Sequence, residues 1–455
     1  MLPSAHMRAL RAAAASFFLF FLVGLVLAWP ALRWPMVYDD LHLLRAFTPA
    51  EKAAAWRGSW DPDGIEHPGL RPLTLLFNDL RGRLFGEDVA AHRLFLIALF
   101  ALHAALLVLA ASRLGASLPA AVAAGSLMLC SRYSVYHYVW LTDGNHLLQG
   151  LLFDAALLAV LAGLGRWSWP WLAASLLAFA AAVLVREDGL ALVPVLLLLA
   201  GLAADRPRRR WLAAFAAILV PVSAGLFAYR LRVVPEAAPP GADARSFLVA
   251  AGRTLNLVGP ESFDAASRAL SWTWTAAPAV LVALVLLLGR RRPAEVRLPL
   301  AFLAAALLAC APALTFRRDD MLFFPVAFAA LFYVSALGTL WRGGAVLRGA
   351  AAALLASGLA GGAYVSRAFA LNFHPDSARA VRWNAQMIYG PYAGRATIPS
   401  DRRAAVASRL ASQGVRSAED LPPLGSRIGH ARSDGPFRPG PPGTLFFPPL
   451  PEKDF

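Results

Sequence analysis

Residues 94 to 112 read LFLIALFALHAALLVLAAS, with His103 their only titratable side chain, and the run lies between Arg93 and Arg113. A surface helix of a soluble protein keeps one polar face, whereas this run is apolar all the way round. At about 1.5 Å per residue it is long enough to cross a hydrocarbon core of about 30 Å. The same texture recurs along the chain, near 13–32, 92–112, 118–136, 146–165, 167–185, 190–204, 211–229, 276–289, 298–315, 321–340 and 346–365. The expected fold is an all-α polytopic membrane protein with about eleven transmembrane helices. Composition agrees: of 455 residues, 58% are hydrophobic and 16% charged, and the mean hydropathy is +0.55. These values exclude an ordinary soluble enzyme, a fibrous protein and a disordered chain. The first run follows Arg8 and Arg11 but is long and lacks a convincing small-residue cleavage site before Trp29-Pro30, so it is expected to stay as a span.

The division expected is a transmembrane unit over 1–366, with a large loop at 33–91, a partly helical tail over 367–420, and a Pro/Gly-rich disordered tail over 421–455. The net charge of +15 is carried almost wholly by arginine, since Lys52 and Lys453 are the only lysines. That leaves no Walker A phosphate loop and no intramembrane Schiff-base lysine. Cys130 and Cys310 both fall in apolar runs and read as small core residues, not as a disulfide or metal framework. Zinc-protease and serine-hydrolase signatures are absent.

Short loops on the cytoplasmic side of a membrane are enriched in Lys and Arg. With the N-terminus inside, the inner loops carry Arg113, Arg166, Arg206 with Arg208 to Arg210, Arg290 to Arg292 with Arg297, and Arg342 with Arg348. The outer side then receives 33–91, 137–145, 186–189, 230–275, 316–320 and the tail from 366. The unusual charged motifs all fall there: Tyr38-Asp39-Asp40, Glu66-His67 with Arg71-Pro72, Thr142-Asp143-Gly144-Asn145-His146, Arg186-Glu187-Asp188 and Arg317-Arg318-Asp319-Asp320. Carboxylates at span ends are costly unless solvated or paired, so their gathering points to a polar cavity at one interface. Blander readings stand beside this one. Asp39 and Asp40 also read as a solvated helix end, and Arg186 with Glu187 or Asp188, like Arg317 to Asp320, as structural ion pairs. His42, His67 and His146 read first as hydrogen-bonded interfacial residues, His103 as a link to another helix, and Tyr133, Tyr136, Tyr138 and Trp140 as an aromatic belt.

Val37-Tyr38-Asp39-Asp40 directly after the first span resembles the acidic motif of the C-type (GT-C) membrane glycosyltransferases. The resemblance is closest to the protein O-mannosyltransferase-like and tetratricopeptide-containing mannosyltransferase group. The following stretch keeps that group's order: Leu70-Arg71-Pro72-Leu73-Thr74, Leu84-Phe85-Gly86, His92-Arg93-Leu94, Leu102-His103-Ala104 and Arg113-Leu114-Gly115. Val139-Trp140 and Asn145-His146-Leu147-Leu148 resemble its later tryptophan loop, Arg186-Glu187-Asp188-Gly189 its basic-acidic pair, and Arg317-Arg318 ahead of Phe324-Pro325 its late arginine-aromatic-proline segment. The likeness covers about residues 13 to 340, more strongly to 115. It departs in having Arg186 where lysine is common, in the Asp319-Asp320 interruption, and in lacking a tetratricopeptide array.

The resemblance implies transfer of a sugar from a polyprenyl-phosphate carrier to a hydroxyl acceptor on a protein, lipid or glycan, at the outer face of what would be a bacterial inner membrane. In such a reaction Asp39 is the leading general base, with Asp40 as the alternative base or as the group that orients the acceptor. Arg186, Arg317 and Arg318 are the expected donor-phosphate contacts, with Arg71 second, because a guanidinium matches phosphate oxygens with a planar fork of donors. His67, Asn145, His146, Glu187 and Asp188 would touch the acceptor or support these groups. No cofactor is required and no nucleic-acid partner is expected; Asp39, Asp40 and His67 leave a divalent metal open. A transporter or flippase of lipid-linked saccharide, or a non-catalytic membrane scaffold, are the alternative readings. Cysteine substituted at a surface position of the 33–91 loop is expected to react with an impermeant reagent from outside, and cysteine in the Arg290 loop only from inside. The reverse labelling pattern would overturn the topology.

Overall fold

The structure is a computed structural model that describes residues 4–65, 69–166, 168–205, 208–235, 244–259, 265–290, 293–314, 322–342, 344–370, 374, 378–417 and 420. Among these residues there are helices and turns and no strand. In chain order the helices are α1 (Ser4–Ala28), α2 (Asp40–Leu43), α3 (Pro49–Ala54), α4 (Pro72–Phe85), α5 (Val89–Arg113) and α6 (Leu118–Cys130). Next come α7 (Tyr136–Val139), α8 (Asn145–Arg166), α9 (Trp169–Val185), α10 (Val193–Ala203), α11 (Arg209–Val233) and α12 (Ala244–Leu255). The last six are α13 (Ala265–Gly289), α14 (Pro293–Ala309), α15 (Phe323–Trp341), α16 (Ala345–Ala370), α17 (Ala378–Ile388) and α18 (Ser400–Ser412).

The sequence punctuates these helices in the expected chemical ways. Prolines open α3, α4, α6, α9 and α10, where a missing N–H costs no hydrogen bond. Asp88 caps α5 by accepting the Ala91 N–H at 3.0 Å, and Thr48 forms a reciprocal capping box with Glu51 on α3. Gly86 ends α4 at φ 52°, a conformation that favours glycine.

Among the described residues, seven helical segments are long and apolar enough to cross a membrane: Arg11–Ala31, Val89–Arg113, Thr142–Gly165, Arg209–Val233, Ala265–Gly289, Phe323–Trp341 and Ala345–Arg367. The chain is a multi-pass membrane protein. The other four expected spans appear as the shorter apolar helices α6, α9, α10 and α14. Local chemistry bounds three of them: α6 stops at an extended Ser131 before Arg132, α9 at an extended Arg186, and α10, with Pro194 in its first turn, at an extended Ala204.

α15 is the hub, packed against α6, α13, α14 and α16 and buried along nearly its whole length. That placement suits a helix with no polar face. α1 lies along α5, and α8 and α9 form a hairpin. On the outside of this bundle Phe18, Leu22, Leu177, Trp272, Leu287 and Val346 are exposed, an apolar girdle that lipid would cover. Polar links tie the helices inside. His103 Nδ1 lies 2.6 Å from Asp154 Oδ2 between α5 and α8, as expected of a mid-span histidine, and the Ser175 hydroxyl donates to the Ala156 carbonyl at 2.7 Å between α9 and α8. Cys130 and Cys310 are buried as small core residues.

The 33–91 loop is itself folded. Leu43, Phe47, Ala55, Trp60 and Leu75 form a separate small core within it. Gly82 on α4 lets that helix sit directly on the backbone of Arg45, because a Cβ there would lie 2.7–2.8 Å from the Arg45 N, Cα and C. Gly82→Ala is therefore expected to destabilise the protein by about 1–3 kcal/mol through overpacking. A thermal unfolding midpoint in detergent equal to that of the wild type would show that the contact yields freely.

Candidate functional site

The two adjacent carboxylates sit where α1 gives way to the 33–91 loop, and neither is a solvated helix end. Tyr38, just ahead of them, has φ 52° and is the only non-glycine with positive φ among the described residues. Such a conformation is costly for a bulky residue and needs surrounding structure to hold it. Asp40 is completely buried and Asp39 nearly so, at 7% exposure. Both are captured by the loop before α8. The Trp140 indole N–H donates to Asp39 Oδ1 at 2.6 Å, and the Thr142 amide donates to Asp40 Oδ1 at 2.8 Å. The Val37 amide closes a local turn on Asp40 Oδ2 at 3.4 Å.

Buried beside Asp40 are the guanidiniums of Arg81 and Arg93. Arg81 donates to the Leu141 carbonyl at 2.8 Å and lies over the Phe77 ring, while Arg93 donates to the carbonyls of Trp34 at 2.5 Å and Val139 at 3.4 Å. Burial pushes the Asp40 carboxyl above its usual range, against the Thr142 and Val37 hydrogen bonds and the field of Arg93. Burial likewise pushes Arg81 down to about 9, with Asp40 opposing it. Asp40 thus serves as the local counter-charge of two buried arginines, and Asp39 as the less enclosed member of the pair.

The tail supplies a third side. Tyr38 N–H donates to Asn384 Oδ1 at 3.0 Å, and Trp383 stacks on Trp140 with ring centres 5.7 Å apart and packs on Tyr38 at 5.4 Å. Arg402 of α18 donates to the carbonyls of Asp40, Leu41 and Leu44 at 2.9–3.1 Å and pairs with Glu87. Asp63 accepts from the Thr397 amide and hydroxyl and from His42. Burial alone would raise the Asp63 carboxyl, but these bonds hold it below its usual range. The aromatic-belt expectation fails here: Tyr133 and Tyr136 are buried, and Trp140 lies between Asp39 and Trp383. Aromatic side chains with polar tips suit a membrane interface and a polar site equally, and composition does not separate the two.

Two of the expected phosphate contacts, Arg71 and Arg186, lie at the same end of the bundle, already paired. Arg71 forks onto Glu187 at 2.8 and 3.3 Å, with Trp60 against its guanidinium. Arg186 pairs with Asp188 at 3.1 Å, and Gln149 donates both to the Arg186 carbonyl and to Asp188. Burial alone would raise the Asp188 carboxyl, but Arg186, His146 and Arg71 bring it down to about 2. A further arginine, Arg230 at the end of α11, is buried with its Nε 4.0 Å from Glu187 Oε1. Sequence reasoning passed over it; the available signal was an arginine in the last turn of a span, away from the basic loops. His67, Arg317, Arg318, Asp319 and Asp320 lie outside the described residues.

Asn145 is buried at the start of α8, and His146 follows it into a cluster that sequence reasoning also missed. Asp143 stands between two imidazoles, with its oxygens 2.9 Å from His137 Nδ1 and 3.3 Å from His146 Nε2. The signal was there as His137-x5-Asp143-x2-His146, spread over two short turns and a helix start. No known protein-family model matches the chain, and no curated protein matches it either. Function has to be read from the chemistry of these side chains.

That chemistry comprises a carboxylate in a polar site, guanidiniums that prefer oxyanions, and stacked indoles of the kind that pack on flat apolar faces. If Asp40 is the counter-charge that permits Arg81 and Arg93 to be buried, Asp40→Ala should lower stability by about 3–5 kcal/mol, the cost of leaving buried charge unmatched. The check is the thermal midpoint and the monodisperse yield in detergent. Wild-type values for both would reduce Asp40 to a bystander.

Proposed function

We propose that the chain is an outward-facing membrane glycosyltransferase that moves a sugar from a polyprenyl-phosphate carrier to a hydroxyl acceptor. The observation that carries this reading is the gathering at one bundle end of Asp39, held by Trp140, with the arginine-rich cluster of Arg71, Arg186 and Arg230. A carboxylate in that position accepts the acceptor proton as its oxygen attacks the anomeric carbon. The departing lipid phosphate needs positive charge more than a proton, and the arginines supply it once donor oxygens compete with Glu187 and Asp188. Arg317 and Arg318 join them on the sequence motif alone.

In the full topology of this proposal, α6, α9, α10 and α14 also span, making about eleven crossings. The N-terminus and the arginine-rich loops face the cytoplasm, and the 33–91 loop and tail face outward. A bacterial inner membrane is the setting the resemblance implies.

One feature favours transport instead. The His103–Asp154 pair is buried in the middle of the bundle, where proton-coupled carriers place their relays. The two readings separate in reconstituted vesicles, where transfer yields a glycosylated product and transport yields relocated lipid-linked sugar without one. Asp39→Asn keeps the side chain's shape and an acceptor oxygen for Trp140 but removes the base. It is expected to fold and bind donor, yet transfer sugar about 100-fold more slowly or worse. Transfer at the wild-type rate would remove Asp39 from the reaction.

A further inference from the structure

The transfer chemistry makes no use of the three-residue cluster at His137, Asp143 and His146. We propose that these side chains form a binding site for a divalent transition-metal ion of the Zn2+ class, with two imidazole nitrogens and one carboxylate oxygen as ligands.

The three residues come from consecutive short pieces of chain: α7, the tight turn Thr142–Gly144, and the first turn of α8. Folding brings their ligand atoms within 4.8 Å of one another. Zinc bonded at about 2.0–2.1 Å in a tetrahedral site holds its donor atoms about 3.3 Å apart. The imidazoles flank the carboxylate from its two oxygens, with His146 Nε2 3.3 Å from Asp143 Oδ1 and His137 Nδ1 2.9 Å from Asp143 Oδ2. The imidazoles face each other obliquely, with ring centres 4.9 Å apart and planes at 55°. One ligand atom from each residue thus lies close enough to the others to converge on one small ion after modest side-chain adjustment, and three protein ligands leave a fourth position for water or another ligand.

Burial adds a charge requirement. All three side chains are buried, and the Phe323 ring closes one side at 4.4 Å from the His137 ring. A carboxylate taken from water must be matched by positive charge, which a proton on one imidazole or a metal cation supplies. Two nitrogens to one oxygen favour zinc and its neighbours over magnesium or calcium, which prefer all-oxygen shells. A second cluster, His42, Asp61 and Asp63, has the opposite character. Asp61 accepts the amides of Asp63 and Ile65, and Asp63 accepts Thr397 as well as His42, so its carboxylates already fasten the loop to the tail.

The test uses untagged full-length protein in detergent, stripped with chelator and dialysed against Zn2+, and in parallel against Co2+ as a spectroscopic probe. The expected result is about one equivalent of zinc retained and a visible Co2+ spectrum of four-coordinate intensity. His146→Gln and Asp143→Asn should weaken binding more than about 100-fold, beyond the usual loss from an outer-shell change, while His42→Gln leaves it unchanged. Zinc-edge X-ray absorption on the wild type guards against variants that misfold, since the first shell should contain two imidazoles. No retained zinc, a shell without imidazole, or wild-type affinity in folded His146→Gln would each overturn the site. None of these readouts involves sugar transfer, so this proposal and the transferase reading stand or fall separately.

Discussion

Everything at the polar end of this molecule depends on how a buried carboxylate is kept. Asp40 is out of water, and what holds it is a loop a hundred residues further on: the Thr142 amide on one oxygen, with Arg81 and Arg93 providing the nearby positive charge. Those two arginines also donate to the carbonyls of Trp34, Val139 and Leu141, which belong to the same two loops. The result is an exchange of hydrogen bonds and charge between the first loop and the segment before α8. Breaking it anywhere leaves a charge stranded in low dielectric. Asp39 and Trp140 are adjacent to members of this exchange, so their 2.6 Å contact inherits its rigidity.

Around that exchange, charges are arranged in neutralised pairs rather than in an open basic patch. Arg71 faces Glu187 and Arg186 faces Asp188, while Arg230 lies at the margin of the first pair. An anionic ligand entering here competes with carboxylates for guanidinium donors. In the proposed reaction, a ligand with several oxygen acceptors, such as a phosphate, would make that exchange more favourable than a single carbonyl could. Affinity is surrendered for discrimination.

How much of this was readable in advance follows from the range of the interactions involved. The apolar runs announced a membrane bundle because crossing hydrocarbon constrains composition locally, over about 20 residues. The acidic pair and Arg186-Glu187-Asp188 stood out because charge at a span end is unusual. Span length was harder: α6 stops at an extended Ser131 well short of the expected end at 136, and hydropathy does not register a backbone turn. Contacts across long separations were out of reach. Nothing in Asn384, Trp383 or Arg402 as residues marks them as partners of Tyr38, Trp140 and Asp40, and His137 gained meaning only when a turn placed it on Asp143.

The clamp that Arg402 places on the Asp40 carbonyl also carries a timetable. The two residues are 362 positions apart, so the acidic motif is synthesised well before its clamp. At ribosomal speeds of roughly 5–20 residues per second, the motif waits about 20–70 s for its last neighbour. Through that interval the nascent bundle has its carboxylates in place but lacks Trp383, Asn384 and Arg402 around them. A chain lacking these helices would carry the acidic motif without the Asn384, Trp383 and Arg402 contacts, so completion of this centre is tied to docking of the tail.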